Sequence, residues 1–200
     1  MTGHGLRPAT AVLTVDAVRR TEAAAMQALP EGALMQRAAT ALAVVAGSML
    51  REITGRVTGS RVVLLVGAGD NGGDALYAGA RLAARGARVD ALLVADRHHV
   101  AGADALRRTG GRVQTAVLGD LAAAELVARA DLVVDGILGI GGRGALREPA
   151  AWLAAVARET DVVVLAVDLP SGVDADTGAV ADPDAVVHAD RTVAFGCLKA

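Results

Sequence analysis

Downstream of Arg61 the chain alternates short, unbroken apolar runs with longer stretches of helical periodicity. The runs fall at residues 62–66, 89–94, 112–117, 132–134, 162–167 and 191–195. Apolar runs of this length, without polar alternation, fit strands that are covered on both faces. Between them lie helical stretches at about 73–85, closed by Gly86; 100–109, closed by Gly110 and Gly111; 121–130; and 149–158. Strands alternating with crossover helices predict a parallel sheet with right-handed connections and helices on both sides. The expectation is a doubly wound, Rossmann-like α/β fold in three layers, with strand order 3-2-1-4-5. Two helices precede it. The first opens at Thr14, a natural N-cap, with Asp16 in its first turn, and runs to about Ala28. Pro30 and Gly32 interrupt, and a second helix spans about 33–53, closed by Gly55, with Leu34, Leu42, Val45 and Met49 as buried positions.

Composition narrows the functions open to such a fold. The 200 residues carry a formal net charge of -2, 53% hydrophobic residues and three aromatics, Tyr77, Trp152 and Phe195. One lysine and so few stacking platforms argue against a nucleic-acid groove. The longest charge-free helical run, between Arg37 and Arg51, falls short of the roughly 20 residues that cross a bilayer. A lone cysteine, Cys197, forms no internal disulfide, and the cytosol is the expected compartment. The partner predicted is a small molecule.

In an open parallel sheet, ligands bind beyond the carboxyl ends of the strands where strand order reverses, here between the first and fourth. The first strand leads into Gly67-Ala68-Gly69-Asp70-Asn71-Gly72-Gly73-Asp74, which fits G-x-G-x-x-G at Gly67, Gly69 and Gly72. A dehydrogenase's dinucleotide loop is the ordinary reading, helped by Asp96 at the end of the second strand. Asp70 and Asp74 weigh against it, because they would set carboxylates beside a pyrophosphate. A tight strand-to-helix turn, with Asp74 a first-turn acid favoured by the helix dipole, is the plainer alternative.

The fourth strand ends at Asp135 and continues into a second glycine loop, residues 136–144, where Arg143 supplies the cation that the first loop lacks. A ligand phosphate is therefore expected here. Asp135, closing an apolar strand, must be paired, solvated or ligating, or else caps its own loop. The fifth strand ends in Asp168-Leu169-Pro170-Ser171-Gly172. The following Asp174, Asp176 and Gly178 have the opening spacing of a calcium loop without its remaining ligands, and read as a solvated turn. Ser171 lies outside a G-x-S-x-G elbow with only His188 downstream, which excludes a hydrolase triad. The adjacent His98 and His99 cannot face one site, form no zinc set with Cys197, and are expected at the surface. Asn71, Asp135, Asp168 and Ser171 thus converge from three strand ends. Their hard oxygen donors suit an alkali or magnesium ion better than zinc.

These residues resemble the N-terminal, YjeF-type domain of the NAD(P)H-hydrate epimerases. The resemblance runs from Glu22 and Leu34-Met35 through the DNGGD loop at 70–74, residues 135–144, the VDLPSG segment at 167–172 and on to Lys199. It implies a single epimerase domain over 1–200, with helices at 14–53 and an α/β core at 61–200. By resemblance, a potassium ion is held by Asn71, Asp135 and Ser171. The hydrated cofactor is contacted by Asp70, Asn71, Gly72, Gly73 and Asp74, by Gly139, Ile140, Gly141, Gly142, Arg143, Gly144 and Ala145, and by Asp168. Two positions depart from the family pattern: Asp70 stands where asparagine is common, and Ala75 where glycine is. The chain stops at Ala200, just after the Phe-Gly...Lys segment, where a further strand is expected. It looks like the N-terminal part of a bifunctional repair enzyme, whose implied partner is a fused or separate ADP- or ATP-dependent dehydratase, with a homo-oligomer as another candidate association.

The activity implied is interconversion of the R and S forms of hydrated NADH and NADPH in cofactor repair. The hydrate carries a hydroxyl on the carbon beside the ring nitrogen, so its configuration inverts by reversible loss of hydroxide or by ring opening. Both routes move a proton at oxygen, and Asp168 is the expected general acid/base. The rivals are a non-catalytic scaffold of the same fold and a nicotinamide-dependent oxidoreductase.

Overall fold

The computed structural model describes residues 12–195 and 198–199; Cys197 lies outside them. A six-stranded, wholly parallel sheet is built from β2 (Arg61–Val66), β3 (Arg88–Leu93), β4 (Arg112–Thr115), β5 (Leu132–Gly136), β6 (Val164–Val167) and β7 (Arg191–Val193), after a short β1 (Val12–Leu13). The order β4-β3-β2-β5-β6-β7 is the expected arrangement extended by a sixth strand. The reversal falls between β2 and β5, whose register pairs Leu65 with Asp135 and Val66 with Gly136. Crossover helices α3 (Asp70–Ala84), α4 (Val100–Arg108), α5 (Leu121–Ala128) and α6 (Ala150–Glu159) follow α1 (Val15–Ala28) and α2 (Ala33–Thr54).

The period of two within each strand divides the core. Val62, Leu64 and Val66 of β2 face the layer containing α2, α3 and α4, with Leu42, Leu50, Leu76, Leu82 and Leu106. Val63 and Leu65 face α5 and α6, with Val127, Leu153 and Ala157. Both faces are dry over β2, β3, β5 and β6, whose sequences are mostly apolar, whereas the edge strands β4 and β7, expected to be covered, are largely exposed. Each leucine with no exposed surface contributes about 1.5–3 kcal/mol relative to a solvated one. By length and apolar character α2 could cross a bilayer, yet its buried positions, among them Leu42, Ala46, Met49 and Leu50, belong to this core. Leu34 and Val45, expected to be buried, are only half covered.

Thr14 caps α1 by accepting from Ala17 N, and Val15 N donates to Asp176 Oδ1 at 2.8 Å. Val15 packs with Leu169 and Ala175 in a small separate cluster that also takes in Ile140 and Val173. The helix is thereby fastened to the loops at the carboxyl end of the sheet. β1 pairs in parallel with β8 (Leu198–Lys199), so the first and last described strands meet.

Candidate active site

Two chain segments cross very closely at the switch point. Gly67 N donates to Gly136 O at 3.0 Å, and a Cβ on Gly67 would run into the Ile137 carbonyl oxygen. A Cβ on Gly136 would come within 2.7 Å of Ala75 Cβ and 2.9 Å of Asn71 O. The glycines of the first loop therefore serve backbone-to-backbone approach, and Ala75 is accommodated because Gly136 opposite it has no side chain. One sequence expectation needs correction here. The helix begins at Asp70 and not near Gly73, so Asp70, Asn71, Gly72, Gly73 and Asp74 form its first turn and the start of its second. Gly72 and Gly73 read locally as loop residues. Helix wins because a side chain at Gly72 would meet Gly67 O, and one at Gly73 would meet Met35 and His99.

Asn71 bridges the strand ends: its Nδ2 donates to Leu138 O at 3.0 Å and to Val167 O at 2.6 Å. Asp135 has no exposed surface, and both its oxygens are hydrogen-bonded. Oδ1 accepts from Ser171 Oγ at 2.6 Å and from Ile137 N at 3.2 Å, while Oδ2 accepts from Ser171 N at 2.8 Å. Burial pushes this carboxyl up to about 6, against the opposing pull of the Ser171 bonds. Ser171 Oγ also accepts from Leu138 N at 2.9 Å. The structure thus brings together the three residues that the sequence grouped as cation ligands. Leu138 O accepts from both Asn71 Nδ2 and Ser171 Oγ, so the Leu138 and Val167 carbonyls, the Ser171 hydroxyl and the Asp135 carboxylate belong to one bonded network. Such an all-oxygen donor set fits a hard, weakly charged cation.

Asp168, 8% exposed, leaves β6 in the left-handed region with φ +71°. Leu169 N donates to Val167 O at 2.9 Å, closing a three-residue turn around it of the rare positive-φ kind. Such backbone costs about 1–2 kcal/mol in a non-glycine residue and is held here by its surroundings. Asp168 N donates to Val193 O at 2.8 Å, and Oδ1 accepts from Phe195 N at 3.3 Å. Opposite stands Asp74, 6% exposed, whose Oδ1 is a buried oxygen with no hydrogen-bond partner among the described residues. It lies past the first turn of α3, beyond the free N–H groups of the helix start. Burial first, then the charges of Asp70, Asp168 and Glu22, push its carboxyl up to about 8. Glu22 comes from α1 and escaped sequence reasoning as a site residue, since nothing in its own neighbourhood distinguishes it from a solvated helix position.

The second glycine loop closes the other side. Gly141, Arg143 and Gly144 are exposed, and Gly142 N donates to Gly139 O at 2.8 Å. Arg143 is not the lone cation at this loop. A Cβ built on Gly141 would lie 3.4 Å from an Arg19 guanidinium nitrogen, so α1 carries a second arginine to it. The charge of Arg143 also reaches Asp174, whose carboxyl sits below the ordinary range chiefly because the Thr177 hydroxyl donates to it. Asp174, Asp176 and Thr177 form a turn as expected, but it is not merely solvated: Asp174 is half-buried and Asp176 Oδ1 accepts from Val15 N. The histidines depart from expectation: both are half-buried, and His99 caps α4 through Nδ1 and meets Tyr77 edge-on at 5.4 Å. Asp96 lies exposed beyond the end of β3. Among the described residues, no three His, Cys, Asp or Glu side chains converge as ligands to one ion. A hollow of about 440 Å³ opens at the opposite, amino ends of β2, β3 and β4, lined by Arg61, Arg88, Arg112 and Arg129. Three of these arginines are engaged by Asp131, Asp90 and Glu125, which makes the hollow a surface ion-pair network.

The class defined by this geometry is a doubly wound α/β protein whose switch point gathers two glycine segments and buried carboxylates. Residues 31–200 match the family described as YjeF-related protein N-terminus, and the chain belongs to that family. It is 46% identical over 187 residues to the bifunctional NAD(P)H-hydrate repair enzyme Nnr of Mycobacterium tuberculosis, covering 93% of this chain and 37% of that protein. The chain thus spans little more than a third of the length of such bifunctional relatives. It is also 46% identical over 205 residues to the NAD(P)H-hydrate epimerase of Microbacterium testaceum, covering 97% of this chain and 73% of that one. The crystal structure of yeast ynu0 superposes with a TM-score of 0.80 at 20% identity, over 94% of this chain and 82% of that one, and shares its fold.

Proposed function

We propose that this chain epimerises hydrated NADH and NADPH, acting on the carbon that bears the added hydroxyl. The observation that carries the reading is Asp168, a buried carboxylate in a strained turn between the start of α3 and the 139–144 loop. Strain of this kind persists where the surroundings fix a group for a task. The epimerase names borne by relatives at 46% identity support the same activity. Asp168 holds or moves a proton at the hydrate's hydroxyl oxygen, and its main-chain bond to Val193 fixes the carboxylate in place. The 139–145 loop and the first turn of α3 supply the remaining substrate contacts, with Arg143 and Arg19 at the phosphates. Asn71, Asp135 and Ser171 would hold a potassium ion. When bound it would offset the buried charge of Asp135 and steady the strand ends around the substrate. The cytosol is the proposed compartment and a dehydratase, fused or separate, the proposed partner.

The test starts from one separated epimer of hydrated NADH and follows the appearance of the other by chromatography. The wild-type protein should interconvert them, and absence of interconversion above the spontaneous rate would remove the epimerase reading. Asp168→Asn should lower turnover at saturating substrate by about 10²-fold. Asparagine tolerates the left-handed backbone, so the melting temperature should stay close to wild type. A fully active Asp168→Asn protein takes Asp168 out of the mechanism.

A further inference from the structure

We propose that Asp74 is the proton donor of the reaction, acting beside the general acid/base Asp168. The assignment rests on the epimerase reading and adds a second acid/base group to it. Among the described residues, the charges that act on Asp74 of α3 come from Asp70 on the same helix, Asp168 after β6 and Glu22 on α1. Every charge that acts on Asp74 is negative. From α4, His99 approaches the neighbouring Gly73 but turns its Nδ1 to Gly102 N. From α2, Met35 packs against Gly73, and Gln36 is engaged by Arg81. Among the described residues, Asp74 therefore has neither a cation nor an N–H donor to stabilise a negative charge.

A buried oxygen without a partner is costly, and its presence in a folded protein asks for a reason. A carboxylic acid waiting for a substrate oxygen supplies one. Burial and neighbouring negative charge both favour the neutral form of a carboxyl, which can then donate its proton. Asp74 keeps its proton because burial is the largest influence on it and its Oδ1 has no hydrogen-bond partner among the described residues. In the step assigned to it, the Asp74 proton passes to the hydrate's hydroxyl oxygen as the bond from that oxygen to the ring carbon breaks. The bonding pair leaves with the oxygen as water, the ring nitrogen's lone pair forms the carbon–nitrogen double bond, and Asp74 becomes a carboxylate. Water then adds to the opposite face, the double-bond pair returns to nitrogen, and the proton released goes back to the carboxylate. Asp74 is protonated again at the end of the turnover.

The experiment compares wild type, Asp74→Asn and Glu22→Gln. Turnover of a single epimer at saturating substrate should fall by about 10²-fold in Asp74→Asn. In wild type it should decline as pH rises through the titration of Asp74, near 8. Glu22→Gln leaves Asp74 in place and removes one of the charges that hold its proton on, so the alkaline decline should move to lower pH. A merely structural role for either residue predicts no such movement. An infrared difference spectrum of wild type minus Asp74→Asn at neutral pH should show a protonated carboxyl band, with or without substrate. Wild-type turnover with an equally active Asp74→Asn, an alkaline limb unmoved in Glu22→Gln, or no carboxyl band would each overturn this assignment and leave the epimerase reading standing. A wild-type protein inert toward both epimers would overturn both together.

Discussion

Ser171→Ala is the substitution that best measures the junction between the ends of β5 and β6. It removes a hydroxyl that donates to Asp135 Oδ1 at 2.6 Å and accepts from Leu138 N at 2.9 Å. At pH 7.5 Asp135, pushed up to about 6, is still ionised, so the first bond is charge-assisted. Its loss should cost about 1.5–3 kcal/mol, and the Leu138 N–H left behind adds on the order of 1 kcal/mol. The bond from Ser171 N to Asp135 Oδ2 at 2.8 Å survives the change, which holds the expected total to about 2–4 kcal/mol. For a domain of this size that is a fall in Tm of roughly 5–15 °C. Urea unfolding followed through Trp152, the single tryptophan, would be run for Ser171→Ala, Asp135→Asn and the double variant. Tetramethylammonium buffer removes any contribution from potassium, and a parallel series in potassium chloride measures it. The two losses should overlap, with a coupling energy of about 1.5–3 kcal/mol. If the two losses add to within about 0.5 kcal/mol, the hydroxyl and carboxylate do not interact and the proposed architecture of the junction is wrong.

Asp74→Asn should change stability with a definite pH dependence. The folded carboxyl titrates near 8 and the unfolded one near 3.8, so the wild type is favoured most below pH 3.8 and loses that advantage as pH rises to 8. The variant should therefore gain on wild type by up to about 1.4 kcal/mol per pH unit between pH 5 and 8, and urea titrations giving a constant difference across that window would refute the raised pKa. Arg19→Ala and Arg143→Ala should each weaken NADP+ binding about tenfold in low-salt calorimetry, with less loss at high salt. Unchanged affinity in both variants would move the phosphates away from the 139–144 loop.

The strands were legible because both faces of the sheet are covered, leaving β2, β5 and β6 with apolar runs that no helix period explains. Gly55 and Gly86 marked their helix ends because a left-handed residue there is a local requirement; both have φ near +80°. Asp135, Asp168 and Ser171 stood out for a similar reason, as polar groups closing apolar strands. The start of α3 was misplaced because Gly72 and Gly73 are poor helix formers by themselves, and only the packing of Gly67, Met35 and His99 against them makes glycine necessary inside a helix. The folded chain also brought the charge of Glu22 to bear on Asp74 and placed Arg19 beside Gly141, with the bond from Val15 to Asp176 fastening α1 to the carboxyl end of the sheet. Helical and strand periods are properties of neighbouring residues, so they can be read along a chain. A carboxyl's proton affinity is a sum over burial and charges from segments remote in sequence, and it exists only once α1, α3 and the end of β6 have met.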